Sequence, residues 1–174
     1  MFWLQETLTA IRDFMELGGG VLTIIAVLTF FIWLLALERW VFLTVGIKKE
    51  IREVIKAWEE RPDHMSWKAR QLRHAMIAEV TWDAKAGLNL LKTLVALCPL
   101  LGLMGTVTGM IEVFDVMAAV GSGSARSMAS GVSKATIPTM AGMVAALSGV
   151  FATTILERKS NAAAHLVEDQ LMTR

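Results

Sequence analysis

Two apolar stretches carry hydroxyls where a buried helix would ordinarily carry leucine and alanine. Residues 98–114, CPLLGLMGTVTGMIEVF, hold Thr106 and Thr108 among Gly102, Gly105 and Gly109; residues 131–151, GVSKATIPTMAGMVAALSGVF, add Ser133, Thr136 and Thr139. A hydroxyl both donates and accepts a hydrogen bond. A row of hydroxyls at membrane depth can therefore stabilise water or a proton-carrying group without itself being charged. A lone intramembrane threonine ordinarily bonds its own i−4 carbonyl, and the alternative here is a polar seam shared by the two stretches. Along ideal helices Thr106 lies about 21 Å from Lys92 and Thr139 about 28 Å from Arg158, so both fall within the hydrocarbon. The glycines serve packing. Gly105 and Gly109 form a GxxxG with Gly102 one turn earlier, and Gly142 and Ala145-Ala146 supply small residues in the second stretch. Small residues let helix backbones approach closely in lipid, where packing rather than hydrophobic transfer drives association. Pro99 and Pro138 add expected kinks whose freed carbonyls need partners from neighbouring helices or water.

Other chemistry is sparse. His64, His74 and His165 are isolated in sequence, no Cys or His pair has metal-ligand spacing, and no glycine loop precedes a helix in the manner of a phosphate site. No serine or threonine has a neighbouring base, so neither an enzyme nor a cofactor is expected. The single cysteine, Cys98, excludes an internal disulfide, and a net charge of +1 gives no bulk field for nucleic acid.

The elements that must carry the hydroxyls are membrane helices. The chain has 174 residues, is 55% hydrophobic and has a mean hydropathy of +0.53, above the range of soluble domains. Charge-free runs long enough to span a bilayer predict an all-α integral membrane protein with three transmembrane helices and long cytoplasmic helical extensions. The expected division is an interfacial amphipathic helix over 1–17, spans over 18–45, 93–115 and 131–156, a cytoplasmic helical loop over 46–92, a periplasmic loop over 116–130, and a cytoplasmic C-terminal helix over 157–174. Phe2, Trp3, Leu8, Ile11 and Phe14 give the first segment its apolar stripe, and its Glu6, Asp13 and Glu16 against Arg12 do not make a signal-peptide n-region. Lys and Arg crowd the loop over 46–92, whereas residues 112–134 hold only Arg126 and Lys134. By the positive-inside rule the N-terminus lies outside and the C-terminus in the cytoplasm. An amphipathic continuation of the first span is expected to end at Arg61-Pro62. A second helix, from about Ser66, is expected to run into the second span, and a flexible turn at residues 121–124 makes spans two and three an antiparallel hairpin.

The pair CPLLGLMGTVTGMIEVF and GVSKATIPTMAGMVAALSGVF resembles the proton-channel family that includes ExbB, TolQ and MotA. The core Gly102-Leu103-Met104-Gly105-Thr106-Val107 and the pattern Gly131, Thr139, Gly142 carry the resemblance, and the layout of three spans is most like a short ExbB. The resemblance implies a homopentameric ring around the transmembrane helices of an ExbD-like single-span partner whose aspartate titrates. It further implies a TonB-like protein as the client for outer-membrane transport, in the bacterial inner membrane. Thr106 and Thr139 are then pore-facing hydroxyls near the partner's aspartate. A TolQ-like role in envelope maintenance and a passive membrane scaffold are the alternatives. One position departs from the family. Where familiar ExbB sequences place a glutamate in a Gly-Ile-Ala-Glu context, this chain has Gly131-Val132-Ser133-Lys134, which rules out an acidic relay there. Glu112 and Lys134 both reach the outer interface on helical spacing, where they either pair or snorkel separately.

Overall fold

The structure, a computed structural model, describes residues 2–62, 66–120 and 125–172. The side chains of Phe2, Trp3, Leu8, Ile11 and Phe14, the turn at 121–124, and His64 lie outside the described residues. Among the described residues the chain forms five α-helices and no strand: α1 (Phe2–Val41), α2 (Ile47–Glu59), α3 (Trp67–Lys85), α4 (Leu88–Val120) and α5 (Ala125–Met172). Two compact units share them, one comprising Met1–Ile32 with Thr93–Gly149 and the other Trp33–Lys92 with Val150–Arg174.

In the first unit the hydroxyl-bearing parts of α4 and α5 pack together and α1 lies against them. α1 is broken at Gly19, which adopts φ 63° and ψ −161°, a conformation that side chains with a Cβ rarely take. The helix restarts beyond it and buries Leu22, Ile25 and Ile32. Pro99 and Pro138 lie inside α4 and α5, and both helices continue through them. Large apolar side chains recur on the uncovered faces at i, i+3, i+4 and i+7. Leu100, Leu103, Met104 and Val107 on α4 and Met140, Met143, Val144 and Leu147 on α5 are all exposed. Such stripes suit lipid or another apolar helix.

The second unit joins the charged ends of the helices. A π-helical turn, Phe42–Gly46, connects α1 to α2, and the N–H of Ile47 donates to the carbonyl of Phe42. α2 buries Ile47, Ile51 and Trp58 on one side and ends at Glu59, ahead of Pro62. Ser66 caps α3 by accepting a hydrogen bond from the Ala69 N–H at 3.1 Å, satisfying a donor that the first helical turn leaves free. The expectation that α3 runs directly into the second span is corrected. α3 stops at Lys85 and α4 begins at Leu88, because Gly87 turns the chain at φ 73° and a Cβ there would sit 2.9 Å from Arg39 Nε. The polar end of α5 stays helical to Met172, with Leu156, Ser160, Val167 and Leu171 buried along one stripe. Lys92 and Glu157 pair across α4 and α5.

Four carboxylates meet where α2 faces α3. Burial, then a hydrogen bond and the charge of Asp83, with Glu79 and Glu53 adding theirs, push the Glu50 carboxyl above its ordinary range. The unfolded chain lacks this environment, so the folded form holds that proton more tightly. Its contribution to stability is present below the ordinary carboxylate pKa and is lost as pH rises through the raised folded value. Glu50→Gln keeps a side chain able to bond Asp83 without the charge. It is expected to raise the thermal midpoint of the detergent-solubilised protein at pH 7 by on the order of 2 °C, and to bring no gain at pH 4.

Candidate functional site

Glycines on α4 and small residues on α5 form two complementary sets. Gly102, Gly105 and Gly109 recur at i, i+3 and i+7 on α4; Ala135, Pro138 and Gly142 recur at the same spacing on α5. Read antiparallel, the sets interlock. A Cβ on Gly109 would lie 2.6 Å from the Cβ of Ala135, one on Gly105 would lie 2.4 Å from the Cβ of Pro138, and one on Gly142 would lie 2.6 Å from the carbonyl oxygen of Cys98 and 3.1 Å from the Cα of Gly102. At Gly102 the nearest atoms are backbone: Thr139 Cα at 3.0 Å and the Pro138 oxygen at 3.1 Å. The helices therefore meet backbone to backbone. The four glycines stand out in the sequence, whereas Pro138 signals only a kink there and Ala135 does not stand out. Their matching spacing was the available signal.

The hydroxyls divide into two kinds. Thr106 donates to Leu103 O at 2.7 Å, Thr108 to Met104 O and Gly105 O at 3.1 Å each, and Thr136 to Ser133 O at 2.8 Å, all within their own helices. Thr139 is different. Its hydroxyl crosses from α5 to donate to Gly102 O at 2.9 Å, a contact possible because Gly102 has no side chain in the way. No hydroxyl among these donates to another hydroxyl. Each still presents oxygen lone pairs that can accept from water or a protonated carboxyl.

Beside the break in α1 the same helices bound a cleft of about 320 Å³, lined by Gly18 to Val21 and Ile24 of α1, Gly105, Thr108, Gly109 and Glu112 of α4, and Lys134 and Pro138 of α5. Lys134 Nζ stands 3.8 Å from Glu112 Oε2, with 43% and 67% of the two side chains exposed. A pair so exposed stabilises a fold by about 0–1 kcal/mol, so its significance is local charge balance beside the break in α1. No group of three His, Cys, Asp or Glu is positioned for a metal among the described residues.

These contacts rank the substitutions. Gly142→Val forces methyls against the Cys98 carbonyl and the Gly102 backbone, an overpacking that costs about 1–3 kcal/mol. Thr139→Val removes a hydrogen bond between helices worth about 0.6 kcal/mol in lipid. Thr106→Val, which loses only a bond to its own helix, is expected to leave stability unchanged. Equilibrium unfolding in mixed micelles gives the order Gly142→Val, Thr139→Val, Thr106→Val.

Residues 42–169 match the MotA/TolQ/ExbB proton channel family. The protein designated ExbB-like 1 of Helicobacter pylori is 28% identical over 168 residues, covering 84% of this chain and 86% of that protein. ExbB-like 1 of Synechocystis sp. is 44% identical over 75 residues, covering 41% of this chain and 30% of the relative. The biopolymer transport protein ExbB of Xanthomonas campestris is 39% identical over 83 residues, 48% of this chain and 32% of that protein. This chain thus matches about a third of two of these relatives and most of the third. Among the described residues three helical stretches are long and apolar enough to cross a membrane. Together with the match over 42–169, they make this chain a multi-pass membrane protein of the MotA/TolQ/ExbB proton channel family.

Proposed function

We propose that this chain is the ring-forming subunit of an ExbB-type motor driven by the proton-motive force. In this reading a homopentamer surrounds an ExbD-like partner with a single span and a titrating aspartate, and a TonB-like protein is driven for outer-membrane transport. The N-terminus lies in the periplasm and the C-terminus in the cytoplasm, across the bacterial inner membrane. The observation that carries the reading is that α4 and α5 pack closely and offer hydroxyl oxygens, yet hold no Asp, Glu or His in residues 93–111 or 135–156. A proton channel built on these helices takes its titrating group from elsewhere. Each proton crossing 100 mV releases about 2.3 kcal/mol, so several coupled protons are enough to bias a rotation or a tilt.

The scaffold alternative is weaker, because the glycine face it would offer to other helices is occupied by α5 of the same chain. The apolar stripes of Leu100, Leu103 and Val107 and of Met140, Val144 and Leu147 are the surfaces open to neighbouring copies and to the partner. The relatives carrying ExbB names favour a TonB-like over a TolA-like client.

Co-purification with a single-span partner bearing an aspartate, followed by native mass spectrometry, is expected to give a pentameric ring of this chain. Only monomers in mild detergent would overturn the ring. Thr106→Val is the cleaner probe of the proton path, since it spares the bond between α4 and α5. It is expected to assemble normally and to abolish growth on iron chelates, alone or with Thr139→Val, with serine at either position restoring part of the activity. Full transport by the double valine variant would leave both threonines as packing residues.

A further inference from the structure

Within the second unit, a groove runs between α5 and the α1–α2 segment, and it changes character along its length. At its apolar end a slot of about 160 Å³ is lined by Trp33, Leu37, Trp40, Phe151 and Ile155, with only apolar lining surface. Leu37 and Phe151 are 59% and 69% exposed, so the slot opens outward from the helices. Further along the same two strands of helix lies a wider cleft of about 530 Å³, floored by Leu43, Ile47 and Ile51 and edged by Lys48, Arg52 and Lys159. The change falls where the charge-free runs end, after Leu37 on α1 and after Leu156 on α5. The slot is therefore at the depth of acyl chains, and the Lys159 end of the basic cleft, one turn past Leu156, is at the depth of head groups.

The cations of the cleft lack counter-charges. No carboxylate lines the cleft, and among the described residues none of the three cations is within ion-pair distance of one. Arg52 spends one N–H on the Lys48 carbonyl at 3.1 Å, and Lys159 Nζ sits 3.5 Å from the centre of the Trp40 ring. A cation held over an aromatic face keeps its outward N–H donors for an anion. Trp40 thus links the slot to the cleft.

The geometry points to a binding site for one anionic phospholipid, with an acyl chain in the Trp33–Phe151 slot, the phosphate at Lys159, and the positive charge of Lys48 and Arg52 extending beyond it. Charge complementarity selects this occupant. A zwitterionic head group brings its own cation to a cleft whose charged lining groups are all cations, and basic pockets between membrane helices recognise anionic head groups for this reason. The site does not depend on the motor assignment, since it needs only that the helices sit in a bilayer.

The test uses the full-length protein, delipidated in detergent and titrated by native mass spectrometry with phosphatidylglycerol or with phosphatidylcholine of identical chains. Phosphatidylglycerol is expected to bind at least tenfold more tightly. Lys159→Gln is expected to weaken it about fivefold, the worth of one basic residue beside an anionic head group, and to leave phosphatidylcholine unchanged. Soluble glycerol phosphate is expected not to compete. Equal affinity for the two lipids, or no effect of both Lys159→Gln and the Lys48→Gln, Arg52→Gln pair, overturns the proposal. Displacement by glycerol phosphate reduces the cleft to a bare anion site and overturns it as well. A photo-crosslinker at Ala163 in native membranes is expected to label lipid; labelling of a second copy of the chain means that the groove is an interface between subunits and ends the lipid assignment.

Discussion

Close approach of two backbones at Gly102 and Thr139 is the constraint on which the first unit rests. Lipid tails solvate leucine as well as another leucine does, so two apolar helices gain little from burying side chains against each other there. What remains is contact between atoms at short range, and each added side-chain carbon at the interface would increase the separation and forfeit part of that attraction. Gly102, Gly105, Gly109 and Gly142 leave this contact open, and Ala135 and Pro138 fill it. The Thr139 hydroxyl then reaches a carbonyl on the neighbouring helix instead of one in its own. In a medium without water that bond has few competitors.

From this contact follows a separation of tasks along the helices. The face that joins α4 to α5 has spent its small residues within the chain, whereas the opposite faces present Leu100, Val107, Val144 and Leu147 outward. Assembly with other helices therefore uses bulky, adaptable side chains, and the hairpin itself uses rigid backbone. Charge is confined to the ends: Glu112 and Lys134 at one, Lys92 and Glu157 at the other. Between them the hairpin is uncharged but contains polar oxygens.

The all-helical fold and its three apolar helices were legible because a charge-free run of twenty residues has few other fates. The α4–α5 packing was half legible. GxxxG announces close packing, but Ala135 and Pro138 declare themselves only when α5 is read backwards against α4. The distinct behaviour of Thr139 was not legible at all, because every helical threonine has an i−3 or i−4 carbonyl within reach and only the neighbouring helix decides otherwise. The break between α3 and α4 escaped for a similar reason. Alanine and glycine at 86 and 87 are compatible with a continuous helix, and it is Arg39, from a distant part of the chain, that occupies the space a Cβ would need. The basic groove likewise combines Lys48 and Arg52 with Lys159, more than a hundred positions away.

The π-helical turn at Phe42–Gly46 has a consequence for how length and direction are related in this chain. A hydrogen bond from i to i+5 gathers one more residue into the turn, so the sequence that follows is set back by about 100° around the axis and about 1.5 Å along it from where an unbroken α-helix would carry it. Leu43 is buried within the turn, and the buried line of Ile47, Ile51 and Trp58 follows directly after it. Closing this turn to α-helical spacing with the same residues is accordingly a torsional change before it is a change of length: it redirects the face α2 shows to α3 and turns Lys48 and Arg52 away from the line they share with Lys159.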